Sequence, residues 1–162
     1  LVFSVSYLGG SQETFSLNFS RSGAPVIAQY FNFLRLGRDG YRRVQQATRD
    51  VARRLAHDIH ELGPFELISR AEHLPVFAFT IKADETRYSV FDVSRVLRER
   101  GWLVPAYTFP PDLEDLKVLR IVIRNGFSGD LADLLVADLR SAIADLERQT
   151  EPLSRPVPSF HH

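Results

Sequence analysis

The sequence predicts a small α+β domain joined to a long helix and an extended N-terminal arm. Three observations carry that expectation. From residue 64 onward, strand-length apolar runs alternate with helical stripes, as in a compact two-layer domain. Between residues 23 and 63 apolar positions recur at helical spacing, and Gly63-Pro64 is the first strong stop signal. Residues 1–20 alternate polar and apolar side chains around Gly9-Gly10, which reads as extended chain.

Within the arm, Val2-Phe3-Ser4-Val5-Ser6-Tyr7-Leu8 and Thr14-Phe15-Ser16-Leu17-Asn18-Phe19-Ser20 are the two extended runs, expected to form a hairpin or a mobile loop. Gly23 and Pro25 then open the helix, because proline lacks only an N–H that the first turn leaves unused. Val44, Val51, Leu55, Ile59 and Leu62 form its apolar stripe. A helix of roughly forty residues spans ~60 Å, longer than so small a domain needs. It therefore reads as a connector between two bodies, with Gly37 and Gly40 as places to bend or to admit another backbone.

Phe65–Ser69 and Pro75–Ile81 are the next candidate strands. Ser89 and Asp92 form a capping box ahead of a helix with Val90, Val93, Val96 and Leu97 inward, ending at Gly101. Strands are expected over Trp102–Phe109 and Leu116–Arg124. A last helix runs from about Asp130 to Gln149, with Leu131, Leu134, Leu135, Leu139, Ile143 and Leu146 toward the core. The proline-containing tail from Glu151 cannot continue it. The expected units are thus an arm at 1–22, a connector helix at 23–63, an α+β domain at 64–150 and a tail at 151–162.

Composition narrows the function. The formal net charge is zero, but residues 21–54 carry eight arginines against Asp39 and Asp50, while the last third is acidic. The arginines are spread around a helix with no nucleic-acid motif, so a solvated face or an intersubunit ion-pair surface is expected rather than nucleic acid. There is no transmembrane-length apolar run. No cysteine is present, which suits a cytoplasmic protein and excludes disulfides and thiolate metal sites. No phosphate loop, metal cluster or Ser-His-Asp arrangement occurs. No methionine is present either, and a chain that starts at Leu1 inside a structured run reads as a fragment or processed product.

One residue breaks the pattern of a structural domain. In Lys117-Val-Leu-Arg-Ile-Val-Ile-Arg124, Leu119, Ile121 and Ile123 share one strand face, and Val118, Arg120, Val122 and Arg124 share the other. A guanidinium stays charged, so Arg120 must reach water or meet an anion, and its planar fork suits a carboxylate. A structural ion pair or a snorkelling side chain is the plainer alternative.

Four strings resemble one family. They are Tyr7-Leu-Gly-Gly10 with Leu17-Asn-Phe-Ser-Arg21, Ala28-Gln-Tyr-Phe-Asn-Phe-Leu-Arg-Leu-Gly-Arg-Asp-Gly-Tyr41, Gly101-Trp-Leu-Val-Pro-Ala-Tyr107, and Arg120-Ile-Val-Ile-Arg-Asn-Gly-Phe127. In this order the chain resembles the C-terminal third of bacterial and plant glutamate decarboxylases. The resemblance implies an α/β, fold-type-I enzyme dependent on pyridoxal 5'-phosphate, with its active sites shared in a homodimer or higher homo-oligomer. It implies conversion of L-glutamate to 4-aminobutanoate (GABA) and CO2 with uptake of a proton. The cofactor lysine, which follows a histidine, is expected upstream of position 1, so this chain alone should be inactive.

By the same resemblance, Arg120 holds the substrate α-carboxylate and Ser20 bonds the cofactor phosphate of the neighbouring subunit. Tyr7 and Leu8 belong to a loop over the partner's active site, where Ser6 stands in place of an acidic residue found in some relatives. His162 matches a terminal histidine that closes the site above mildly acidic pH. Read without the family, Ser20 is a strand-end hydroxyl and Tyr7 and Leu8 are hairpin core. His161-His162 then reads as a disordered end or a tag stub. The tail lacks the basic, tryptophan-containing extension that calmodulin binding requires, so calmodulin is not expected. Two other readings stand beside this one: a related decarboxylase with another amino-acid substrate, and a stand-alone α+β binding or regulatory module.

Overall fold

The computed structural model describes residues 21–85, 87–110 and 112–149, together with the backbone of residues 2–7 and 10–15. In the arm, β1 (Val2–Tyr7) pairs antiparallel with β2 (Gly10–Phe15), with Val2 opposite Phe15 and Tyr7 opposite Gly10. The expected hairpin is present, but its second strand starts at Gly10 rather than Thr14. Glycine at a hairpin end is placed by the turn, and strand propensity does not reveal it.

Helix α1 (Ala24–His60) opens at Gly23 with Pro25 in its first turn, and the Ala24 N–H is taken up by the Ser22 hydroxyl. It is not one rod. Gly37 has φ 56° and ψ −173°, a conformation that side-chain-bearing residues avoid, so two helical segments meet there. The two halves differ in kind. The second buries Thr48, Ala52, Leu55, Ala56 and Ile59 at spacings of four, three, one and three residues. In the first, Ile27, Tyr30, Phe31 and Leu34 all lie more than half exposed. Spaced at i, i+3, i+4 and i+7, these side chains form an apolar stripe that the described domain leaves uncovered.

β3 (Phe65–Leu67), β4 (Val76–Ile81), β5 (Ala106–Thr108) and β6 (Lys117–Val122) form an antiparallel sheet in the order β3-β4-β6-β5. α2 (Val90–Glu99) and α3 (Gly129–Arg148) join the second half of α1 in packing with it. The core lies between these helices and one sheet face, where Phe77, Phe79, Leu119, Ile121 and Ile123 meet Leu55, Ile59, Val93, Leu97 and Leu139. Phe65 meets Phe79 edge to face, with ring centroids 5.2 Å apart. Each fully buried Leu, Ile or Phe contributes about 1.5–3 kcal/mol of transfer free energy, so this layer dominates local stability.

Local signals explain the helix ends. The Ser89 hydroxyl and the Asp92 carboxylate cap each other's backbone N–H groups at the start of α2. Its end is a Schellman turn: Gly101, at φ 90°, donates to Arg98 and Trp102 donates to Leu97.

Two expectations are corrected. The strand foreseen over Trp102–Phe109 shrinks to Ala106–Thr108, because Trp102 and Val104 are held elsewhere. The Trp102 indole donates to Asp138, and the Ser94 hydroxyl donates to the Val104 carbonyl. In α3, Leu131 and Leu134 are exposed, and Ala132 and Ala142 take core positions instead. Leucines at helical spacing define a wide stripe, and only the neighbouring layer decides which edge of it is covered.

Candidate substrate-binding site

Strand alternation puts Leu119 and Ile121 of β6 into the core and turns Arg120 to the opposite sheet face. That face carries Val76, Ala78 and Thr80 of β4, Tyr107 of β5, and Val118, Arg120 and Val122 of β6. Arg120 is half-buried, yet its Nε is shut off from solvent.

The register explains how the side chain lies. Directly opposite Arg120 on β4 is Ala78, whose methyl leaves room above the sheet. On the other flank the Arg120 N–H donates to the Pro105 carbonyl at 3.1 Å, just before β5 begins. The diagonal neighbour on that flank is Tyr107, and the guanidinium carbon sits 5.8 Å from its ring centroid. Arg120 therefore rests over an aromatic face, a geometry in which the ring's negative face attracts the cation without consuming its N–H donors. Tyr107 in turn leans toward Phe109, with centroids 6.3 Å apart.

Beside Arg120 opens a concavity of about 240 Å³, walled by Trp102, Val104, Pro105, Val122 and Phe127. Its walls are fixed from behind. Trp102 donates its indole N–H to Asp138 of α3 at 2.7 Å and meets Phe127 at 6.3 Å between centroids. Arg100 reaches Asp145 at 2.6 Å and Ser141 at 3.0 Å, tying α2 to α3. Arg148, with Arg100, holds the Asp145 carboxyl below the usual carboxylate range. The Arg87 hydrogen bond does the same for Glu85, while burial pushes the Tyr88 hydroxyl up to about 12. A guanidinium beside a rigid, mostly apolar concavity is suited to bind and orient a carboxylate, because an enclosed site strengthens the ion contact.

Of the residues singled out in the sequence, the structure places only Arg120 with its side chain. Tyr7 ends β1, and its side chain lies outside the described residues, as do Leu8, Ser20 and His162. Tyr107 and Ala78 went unremarked as site residues, since cross-strand register is what brings them to Arg120. Among the described residues, no cluster of three or more His, Asp or Glu side chains can hold a metal ion. None of the described helices is long and apolar enough to cross a membrane.

The described residues do not by themselves fit pyridoxal phosphate. Lys82 and Lys117 are the only lysines in the chain. Lys117 points by alternation to the sheet face opposite Arg120. Lys82 follows β4 four residues beyond Ala78, about 13 Å along the strand. Neither offers an amine beside the guanidinium.

Comparison with known proteins identifies the family. The pyridoxal-dependent decarboxylase conserved domain matches residues 1–82. Glutamate decarboxylase of Aliivibrio fischeri is 48% identical over 145 residues, covering 88% of this chain and 31% of that protein. The enzyme of Solanum lycopersicum is 45% identical over 149 residues, covering 92% of this chain and 30% of that protein. Among solved structures, Lactobacillus brevis glutamate decarboxylase superposes with a TM-score of 0.80 at 42% identity, covering 93% of this chain and 34% of that one. The chain thus spans about a third of the length of the relatives it matches, and it belongs to the pyridoxal-dependent decarboxylase family, with the fold of the corresponding part of a fold-type-I enzyme.

Proposed function

We propose that this chain forms the substrate-anchoring part of a pyridoxal-phosphate-dependent glutamate decarboxylase, which converts L-glutamate to 4-aminobutanoate and CO2 with uptake of one proton. The observation that most supports this reading is Arg120, a half-buried guanidinium on the sheet face away from the core layer, laid over Tyr107 beside an apolar concavity. Its role is to grip the α-carboxylate through two parallel N–H donors and hold the bond to be broken in one orientation. The electron sink for decarboxylation belongs to the cofactor, held by residues outside the described ones.

Ser20 bonding the cofactor phosphate of a neighbouring subunit, Tyr7 and Leu8 closing over the partner's site, and His162 closing the site as pH rises are parts of the same proposal. So are a homodimer or larger assembly and a cytoplasmic location. The exposed apolar residues Ile27, Tyr30, Phe31 and Leu34 on the first half of α1 favour a larger body over a stand-alone module.

The test is made on the full-length protein. It should release CO2 and 4-aminobutanoate from L-glutamate at mildly acidic pH, and borohydride should trap the cofactor on a lysine outside this chain. Preference for another amino acid would reassign the substrate. A stoichiometric adduct on Lys82 or Lys117 would overturn the division of labour argued above.

A further inference from the structure

We propose a second ligand site, for a small dipolar amino acid, between the end of α1 and the loop that joins β3 to β4. A concavity of about 450 Å³ opens there, and it shares no residue with the one beside Arg120. Arg53, His57 and His60, at i, i+4 and i+7, face it from one side of α1. Glu66 of β3 and Arg70 and Glu72 of the loop complete its polar lining, and buried Ala56 gives it depth by being small.

The charges at this place do not satisfy one another. Arg49 and Arg54, on the same stretch of α1, hold Asp50 and Asp133. Among the described residues, the side chains of Arg53, His57, His60, Glu66, Arg70 and Glu72 make no hydrogen bond or ion pair. Two guanidiniums and two carboxylates that border one concavity without closing on each other suit a ligand that carries both charges. Its carboxylate meets the guanidiniums and its ammonium meets the carboxylates. A simple anion would face repulsion from Glu66 and Glu72. The two imidazoles add nitrogens for further hydrogen bonds to the ligand.

The loop is built to hold its share of the lining. The Ile68 and Ser69 N–H groups both donate to the Ala78 carbonyl, at 2.9 and 3.1 Å, and the Ser69 hydroxyl accepts the Ala78 N–H at 2.9 Å. Ala71 is then buried at φ 54°, a left-handed conformation that alanine rarely adopts. Arg70 and Glu72 flank it. Burying one methyl group in a strained turn thus keeps a guanidinium and a carboxylate at the concavity.

The experiment uses the full-length protein, with 4-aminobutanoate as the probe, chosen for its two charges whatever substrate the Arg120 site takes. Phenylglyoxal modifies accessible arginines, and peptide mapping reads each one separately. At ten times its half-saturating concentration, 4-aminobutanoate should slow modification of Arg53 and Arg70 roughly tenfold and leave exposed Arg140 of α3 unchanged. Butanoate, which lacks the ammonium, should need about 2- to 5-fold more for the same protection, and Glu66→Gln combined with Glu72→Gln should remove that difference. Equal protection of the parent by butanoate or inorganic phosphate would overturn the proposal in favour of a simple anion site. Absence of protection at either arginine would overturn it outright. So would arginines already unreactive before ligand is added, since the rest of the protein would then fill the concavity.

Discussion

Arg120→Ala separates a substrate anchor from a structural arginine, because the surroundings of Arg120 set different costs for the two roles. The side chain is half-buried on a sheet face outside the core layer, with its guanidinium over the Tyr107 ring. Losing a cation–π contact of this exposure costs about 0.5–1 kcal/mol, and no core cavity opens, so the melting temperature should fall by only a few degrees. Losing a bidentate, charge-assisted grip on a carboxylate costs more, ~2–4 kcal/mol, or roughly 30- to 1000-fold in kcat/KM. Arg120→Lys should recover only part of the loss, because an ammonium restores the charge without the fork. Steady-state decarboxylation of L-glutamate by the full-length enzyme, with thermal unfolding measured on the same samples, gives both numbers. Near-normal turnover at unchanged stability would refute the anchor, and collapsed stability with normal residual turnover would make Arg120 structural.

Three further outcomes follow from the packing. Asp145 and Glu85 have folded pKa values below their unfolded ones, held there by Arg148 with Arg100 and by Arg87 respectively. Their contribution is therefore complete above the unfolded carboxylate range of about pH 4 and is lost as pH falls through the folded values. The melting temperature should drop in that acid window, and Asp145→Asn should flatten the drop; an unaltered pH profile in the variant would contradict the assignment. Gly37→Ala should destabilise by about 1–3 kcal/mol, since φ 56° strains a side-chain-bearing residue even though nothing lies within 4 Å of the added carbon. A regular helix would instead be stabilised by ~1 kcal/mol, so the sign of the shift in denaturant unfolding decides whether the break exists. Trp102→Phe leaves Asp138 without its indole donor and should cost about 1–3 kcal/mol in the same assay, with little added loss when combined with Asp138→Ala.

Much of the fold was legible because local rules bind locally. Ser89 and Asp92, three residues apart, cap α2 without help from the rest of the molecule, and Gly101 ends it because only glycine accepts that turn cheaply. The alternation in residues 118–123 fixes which side chains share a sheet face whatever the partner strands are, so it singled out Arg120 from the chain alone. Other features depend on contacts distant in sequence. The first half of α1 shows its apolar side chains to solvent, and the bend at Gly37 was only one of two glycine options until the backbone was known. Trp102 and Val104 left the strand because Asp138 and Ser94 hold them, and Leu131 and Leu134 lie at the uncovered edge of α3. Tyr107 is thirteen positions from Arg120, and nothing periodic connects them. The sequence by itself determined that an arginine must leave the core face of β6; the register of β4, β6 and β5 decided that it would lie beside a small alanine and over an aromatic ring, because cross-strand neighbours are set by backbone pairing between segments that share no local signal.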